Sequence, residues 1–304
     1  MLSSMVNISD IRELHTPKGV NLESFLVALT LYMAGLLLSF LRWHLLLKGY
    51  NVAEPFTRTS LVYLASYAVF SFTPLGRLGS EGARVTVLIR DSGRRGVIAS
   101  VAYERLLDGF SILGLFAGWI IALAAELDPF YTSVGFMALI PLILAAKGSV
   151  SRFSVRVEGW IRRLPRIGSY VNRMIRFGGT DIKDPPVRIQ VLSAAITVSM
   201  WLLNLSHIAV LLKALGIDNI LIGAPAVLLV EMLGLGLPVP LPAGLGVMDF
   251  LTAITLKAAG LGTGFVGQYL IVERIIITVI PGILGVIASL HLGISLAWRK
   301  QKQA

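Results

Sequence analysis

The sequence predicts an all-α, polytopic integral membrane protein, built as an inverted repeat around two broken, re-entrant helices. Three observations lead there. The chain of 304 residues is 55% hydrophobic and only 14% charged, more apolar surface than a soluble domain can hide. Charge-free runs near the length that spans a bilayer lie at 24–41, 59–76, 109–125, 129–146, 189–212 and 275–298. The third observation is internal: TPLGRLGSEGARVTVLIRDSGRRGVIASVAYERLLD (73–108) is echoed by LPAGLGVMDFLTAITLKAAGLGTGFVGQYLIVER (241–274). Each has a Pro-Gly break, a lone acid (Glu81, Asp249), a short apolar helix, a glycine-containing turn and Glu-Arg, in one order. Gly79 precedes Glu104 by 25 residues, and Gly246 precedes Glu273 by 27.

The elements follow in order. A polar tail, 1–21, lacks the basic start and apolar core of a secretory signal. The transmembrane domain, 22–298, opens with a helix over 22–47 that ends in Arg42, Trp43, His44 and Lys48, the mixture expected at a membrane interface. A second helix runs from Thr57 to Phe72 and stops at Thr73-Pro74. A short helix, Ser80 to Ile89, leads through the basic turn Arg90 to Gly96 into a long helix, 97–125, which carries Glu104, Arg105 and Asp108. These elements, about 22–125, form repeat one. A connecting span, 130–147, reaches the loop 148–186, where eight Lys or Arg face three acids. Phe153, Val157, Trp160 and Leu164, then Ile167, Tyr170 and Met174, recur there at helical spacing. Two amphipathic helices lying on the membrane surface fit that pattern. Repeat two, about 188–297, has helices at 188–213 and 221–237, a break from Pro238 to Gly246, a short helix at 247–259 and a last helix at 266–297. The basic tail 299–304 follows.

The formal charge is +10, and the loop 148–186 and the tail hold most of the surplus. Lys and Arg collect in cytoplasmic loops, so both segments are expected in the cytoplasm and the N-terminus outside the cell membrane. Counting spans from there gives the two repeats opposite orientations. Expected partners are membrane lipids with anionic headgroups rather than nucleic acid; a homo-oligomer is compatible with the sequence but not required by it. There is no cysteine, which excludes disulfides, thiolate metal sites and a cysteine nucleophile.

The breaks are where chemistry is expected. Inverted repeats with discontinuous helices place a transport site near the bilayer midplane, at the repeat interface. The start of each short helix offers free N–H groups to an anion. Gly76, Gly79, Gly244 and Gly246 allow close backbone approach, and Pro74 and Pro242 stop the preceding segment. Glu81 and Arg84 share a face of one helix, as do Glu104 and Asp108 of another. Intramembrane charges at about 2.5–3.5 kcal/mol each are expected to face a cavity or one another. The structural alternative is that Glu104–Arg105 and Glu273–Arg274 pair across the repeats and hold the bundle together. His15, His44, His207 and His291 show no metal spacing, and His207 and His291 read as packing or interfacial residues. Glu231, a lone acid near Pro238, could carry a proton but is not assigned to the site. No strand or Gly-Lys-Ser/Thr frames TPLGRLGSEG as a phosphate loop, no serine nucleophile elbow is present, and no cofactor is expected.

The order PxGxxGSE, short helix, ER-LLD, then PAGLGV-D, short helix, ER resembles the flippase-like transmembrane region of lysylphosphatidylglycerol synthase and its stand-alone prokaryotic relatives. The resemblance covers about 22–297. It implies movement of an anionic lipid, a phospholipid or a polyprenyl-phosphate-linked sugar, between leaflets. The matching substrate-binding positions are Gly76, Gly79, Glu81, Arg84, Glu104, Arg105 and Asp108 in copy one, with Gly244, Gly246, Asp249, Glu273 and Arg274 in copy two. Copy two departs from the pattern, with Thr252 and Ile277 where Arg84 and Asp108 would sit. The synthase's soluble aminoacyl-transferase domain has no counterpart in this sequence, so lipid aminoacylation is not expected; with no metal-binding carboxylate set or nucleophile-base pair in view, the expectation is a transporter and not an enzyme. Its rivals are a membrane transferase acting on a polyprenyl phosphate, an ion-coupled small-solute transporter and a membrane assembly partner.

Overall fold

The structure, a computed structural model, describes residues 20–74, 76–89, 94–148, 184–216, 220–236, 242–260 and 262–293. Within them the chain is all helix. The elements are α1 (Leu22–Gly49), α2 (Phe56–Phe72), α3 (Gly76–Ile89), α4 (Arg94–Ala124), α5 (Pro129–Ala146), α6 (Val187–Ala214), α7 (Ile220–Gly236), α8 (Val247–Ala258), α9 (Thr263–Arg274) and α10 (Ile280–His291). A single 3₁₀ turn, Pro242–Gly244, precedes α8, and a π-helical turn, Ile275–Val279, fuses α9 to α10. Five of these helices are long and apolar enough to cross a membrane: Leu22–Gly49, Arg95–Ala124, Pro129–Ala146, Val187–Ala214 and Thr263–His291. The surface helices expected between Phe153 and Ile175, and both tails, lie outside the described residues.

Local chemistry explains the boundaries. Asn21 caps α1 by accepting from Ser24 N–H at 2.8 Å, and Asp128 caps α5 by accepting from Phe130 and Tyr131, with Pro129 in the first turn. At the end of α2, Thr73 is extended, as the residue before a proline prefers, and Pro74 supplies no N–H to continue the helix. The short helix then begins at Gly76 rather than at the expected Ser80. Gly76 takes φ +50, a left-handed turn that lets the chain re-enter a helix at once.

The two copies meet head to tail. On α1, Gly49 packs on Pro185 and Ile189 at the start of α6, Arg42 reaches Thr197, Ser39 reaches Met200, and Tyr32 meets His207. Rising numbers on α1 match falling numbers on α6, so the first helices of the two copies run antiparallel. A second seam joins α2 to α10. Ser71 donates to the Thr278 carbonyl at 3.0 Å, and a Cβ at Gly285 would lie 2.6 Å from the Leu64 carbonyl oxygen. On the other side of α10, Ile283, Ile287 and Leu290 are exposed, a stripe suited to lipid.

The connecting helix α5 packs antiparallel on α4 through small residues, the usual way for helices to approach closely where apolar surroundings offer no hydrophobic drive. Gly114 touches the backbone at Phe136, and a Cβ on Gly118 would lie 2.6 Å from Ser133 Cα. Gly118→Val is therefore expected to destabilise the protein by about 1–3 kcal/mol, the range for overpacking a tight seam. A thermal melt in detergent reads this; an unchanged midpoint would show that α5 can move away freely.

The ends of several elements gather at one face of the bundle. Gly148 lies beside Val187, Gly49 beside Pro185, and Gly96 beside Tyr50 and Val52. The described residues that flank the basic loop and the first turn of α4 thus share one end of the bundle.

Candidate functional site

Between the copies lies a cavity of about 190 Å³. Its wall on α1 is a single stripe, Tyr32, Gly35, Leu36, Ser39 and Arg42, spaced at one helical face. From Tyr32 to Arg42 that stripe extends about 15 Å along the helix axis. Arg42 itself is seven residues before the end of α1, or about 10 Å inside it. The rest of the wall comes from both copies. Tyr63, Gly76, Arg84 and Arg105 belong to copy one; Glu231, Gly244, Asp249, Glu273 and Arg274 belong to copy two.

Copy one contributes an ion network. Arg42 is buried and donates to Glu104 Oε1 at 2.8 Å, Asp108 Oδ1 at 2.6 Å and the Thr197 hydroxyl at 2.9 Å. Arg84 donates to Glu104 Oε2 at 2.9 Å, with its guanidinium 4.3 Å from the centroid of the Tyr63 ring and 5.1 Å from that of Trp43. Arg105 spans Glu81 and Asp108, both at 2.9 Å. Tyr63 donates to Glu104 at 3.3 Å. Three arginines and three carboxylates therefore neutralise one another, which is what makes the buried Arg42, Arg84, Glu104 and Asp108 tolerable there.

Copy two is built differently. Arg274 donates to Asp249 at 2.7 Å and to the Ala243 carbonyl at 2.8 Å. This second bond pins the break, where Ala243 holds φ +47, a left-handed conformation disfavoured for any residue with a Cβ. Asp249 also accepts from the Gly246 N–H at 2.8 Å, so the start of α8 is already capped by a carboxylate of its own. His207 Nε2 sits 2.9 Å from Glu273 Oε2. Glu231 faces Glu273, Arg274 and Tyr269.

Several readings of the sequence change. Arg42, Trp43 and His44 are core residues rather than an interfacial helix end. The Glu-Arg pairs do not bridge the copies, because Glu104, Arg105, Glu273 and Arg274 find their partners within their own copy. Arg84 lines the cavity but is buried, ion-paired and held between two rings, which leaves Arg105 the more open cation of copy one. His207 is a buried partner of Glu273 and not a packing residue alone. Gly76, Arg84, Arg105, Gly244, Asp249, Glu273 and Arg274 reach the cavity wall; Gly79, Glu81, Glu104, Asp108 and Gly246 stand behind or beside it. Arg42 was missed. Its signal is positional, since Arg42 and His207 are each 20 residues past the first residue of their 28-residue helices, Leu22 and Val187.

These features define a multi-span α-helical membrane protein with a charged cavity between two internally similar halves. The chain belongs to the family described as the lysylphosphatidylglycerol synthase TM region, whose profile matches residues 7–285. Two curated relatives from Methanothermobacter thermautotrophicus (strain Delta H), each described as a UPF0104 membrane protein, are 24% identical. One alignment covers 85% of this chain and 80% of the relative; the other covers 90% and 86%. No solved structure matches.

Proposed function

We propose that the chain is a flippase-like transporter that moves an anionic lipid between leaflets, with the headgroup passing through the cavity between the copies. The observation that carries this is the pair Arg105 and Arg274. They come from the two Glu-Arg motifs, line one cavity, and keep 27% and 17% of their side chains accessible. Guanidinium groups suit phosphate because they offer two parallel donors. The cavity wall carries these charged groups, whereas acyl and prenyl chains are apolar and gain nothing by leaving a hydrocarbon surrounding. The chains therefore stay in lipid while the headgroup crosses.

The test is leaflet exchange in proteoliposomes, with labelled phosphatidylglycerol and a labelled polyprenyl phosphate as separate probes. Faster exchange than in protein-free vesicles is expected for at least one. No exchange of either, together with uptake of a water-soluble anion, would replace this reading with solute transport.

The orientation is part of the proposal: the basic end of the bundle is cytoplasmic. Because the natural chain has no cysteine, single cysteines report directly. One at Asn51 is expected to be shielded from an impermeant thiol reagent in intact cells, and one at Leu127, beyond the far end of α4, to be labelled. Reversed labelling inverts the topology.

A further inference from the structure

The two copies carry different chemistry on matching positions. Arg42 and His207 hold equivalent places on α1 and α6, and each contacts the acid of its own Glu-Arg motif, Glu104 or Glu273. Tyr63 and Glu231 each precede a break proline, Pro74 or Pro242, by 11 residues, and each faces that same acid. Arg84 and Thr252 each follow those prolines by 10. Copy one is thus closed by arginines, which do not deprotonate in proteins. Copy two replaces them with an imidazole and a neutral hydroxyl, and replaces a tyrosine with a further carboxyl.

The balance of charge follows. Among the described residues around the copy-two end of the cavity are Glu231, Asp249 and Glu273, with Arg274 and His207. Arg274 is engaged by Asp249 and the Ala243 carbonyl. Glu273, at 5% exposure, has its Oε2 2.9 Å from His207 Nε2, while its Oε1 has no hydrogen-bond partner; the Glu231 carboxyl is its neighbour on the cavity wall. Two carboxylates facing each other out of water repel; a proton on one supplies the missing donor. His207 Nδ1, fully buried, also has no partner.

The neighbouring elements supply little else. Tyr269 of α9 faces Glu231, and Tyr32 of α1 packs edge-on against His207. The helix α5 has no Asp, Glu, Lys, Arg or His, and α4 adds Ile112 and Leu115 to the apolar cluster around Val227. Lys213 and Lys257, on α6 and α8, are exposed at the surface. Arg42, Arg84 and Arg105 line the cavity but are paired within copy one.

We infer that Glu231 and Glu273, backed by His207, bind one exchangeable proton from the cavity, and that this proton drives headgroup movement. The step is a simple transfer: hydronium in the cavity loses one O–H bond and becomes water, an O–H bond forms on the carboxylate pair, and that proton returns to water as hydronium when the cavity faces the other side. The binding half stands on the cluster alone; the coupling half rests on the flippase reading.

Infrared difference spectroscopy of the purified protein in bilayers, between acid and alkaline pH, tests the binding half. A carbonyl band of a protonated carboxylic acid is expected, lost in Glu231→Gln and in Glu273→Gln and retained in Asp249→Asn. Its absence from the natural chain, or its survival in both glutamine variants, overturns the site. Vesicles with the membrane potential clamped test the coupling. At one proton per lipid, one pH unit across the membrane shifts the leaflet distribution of the labelled lipid about tenfold. Distributions that follow a sodium gradient, or neither gradient, overturn the coupling. A titrating band without exchange of any anionic lipid upholds the proton site and removes the flippase reading. Exchange indifferent to pH, with no band, does the reverse.

Discussion

Replacing Glu104 with alanine is expected to stop the protein accumulating in the membrane. Glu104 is fully buried and receives Arg42, Arg84 and Tyr63 on its two oxygens, with Arg105 3.5 Å away. Its removal leaves three arginines against Glu81 and Asp108, and one unpaired charge stays buried. Breaking a buried ion pair from one side costs about 3–5 kcal/mol, a large part of the ~5–15 kcal/mol that separates folded from unfolded domains. The double variant Glu104→Ala, Arg84→Met tests the reason. It restores two arginines against two acids and places an apolar side chain between the Trp43 and Tyr63 rings, so at least half of the lost thermal stability should return. A single variant that melts like the natural chain would show that the network is not what holds copy one together.

Arg105→Ala is expected to slow lipid exchange roughly ten- to a hundredfold, the range for losing a hydrogen bond to a charged group, about 1.5–3 kcal/mol. Arg105 is more exposed than Arg42 or Arg84, so its loss disturbs the fold less than theirs. Arg105→Lys keeps the charge and loses the planar fork, and should recover part of the rate. The readout is exchange in proteoliposomes at matched protein content, alongside a melting curve. Normal exchange in Arg105→Ala would move the headgroup away from this wall of the cavity. A melt as depressed as that of Glu104→Ala would make Arg105 a structural residue first.

Much of the fold was legible because a bilayer constrains sequence strongly. Apolar length locates α1, α4, α5 and α6, and prolines mark where α2 stops and α8 is about to begin. Positions near the breaks are legible as an ordered echo, which picks out Arg105, Asp249 and Arg274 from the sequence alone. What stayed hidden depends on neighbours far away in sequence. Arg42 looks interfacial beside Trp43 and Lys48, and only its approach to Glu104 and Asp108, 62 and 66 residues on, makes it a core residue. Arg84 looked like a ligand because its sequence neighbours do not include the two rings that enclose it. Glu231 looked solitary for the same reason: its partner, Glu273, is on another helix. The aligned starts of α1 and α6 are the one sequence signal that would have paired Arg42 with His207.

Self-contained neutralisation in copy one bears on how the chain is made. The ribosome delivers Arg42 to the translocon before Glu104 exists, and at about 5–20 residues per second the 62-residue gap lasts about 3–12 seconds. All three acids that neutralise the arginines of copy one are synthesised by Asp108, well before α6 begins at Val187. The contact of Arg42 with the second copy, Thr197, is uncharged. The first half can therefore settle in the bilayer as an electrically closed unit while the basic loop and the second half are still being translated. Nascent-chain crosslinking would find it leaving the translocon before α6 enters.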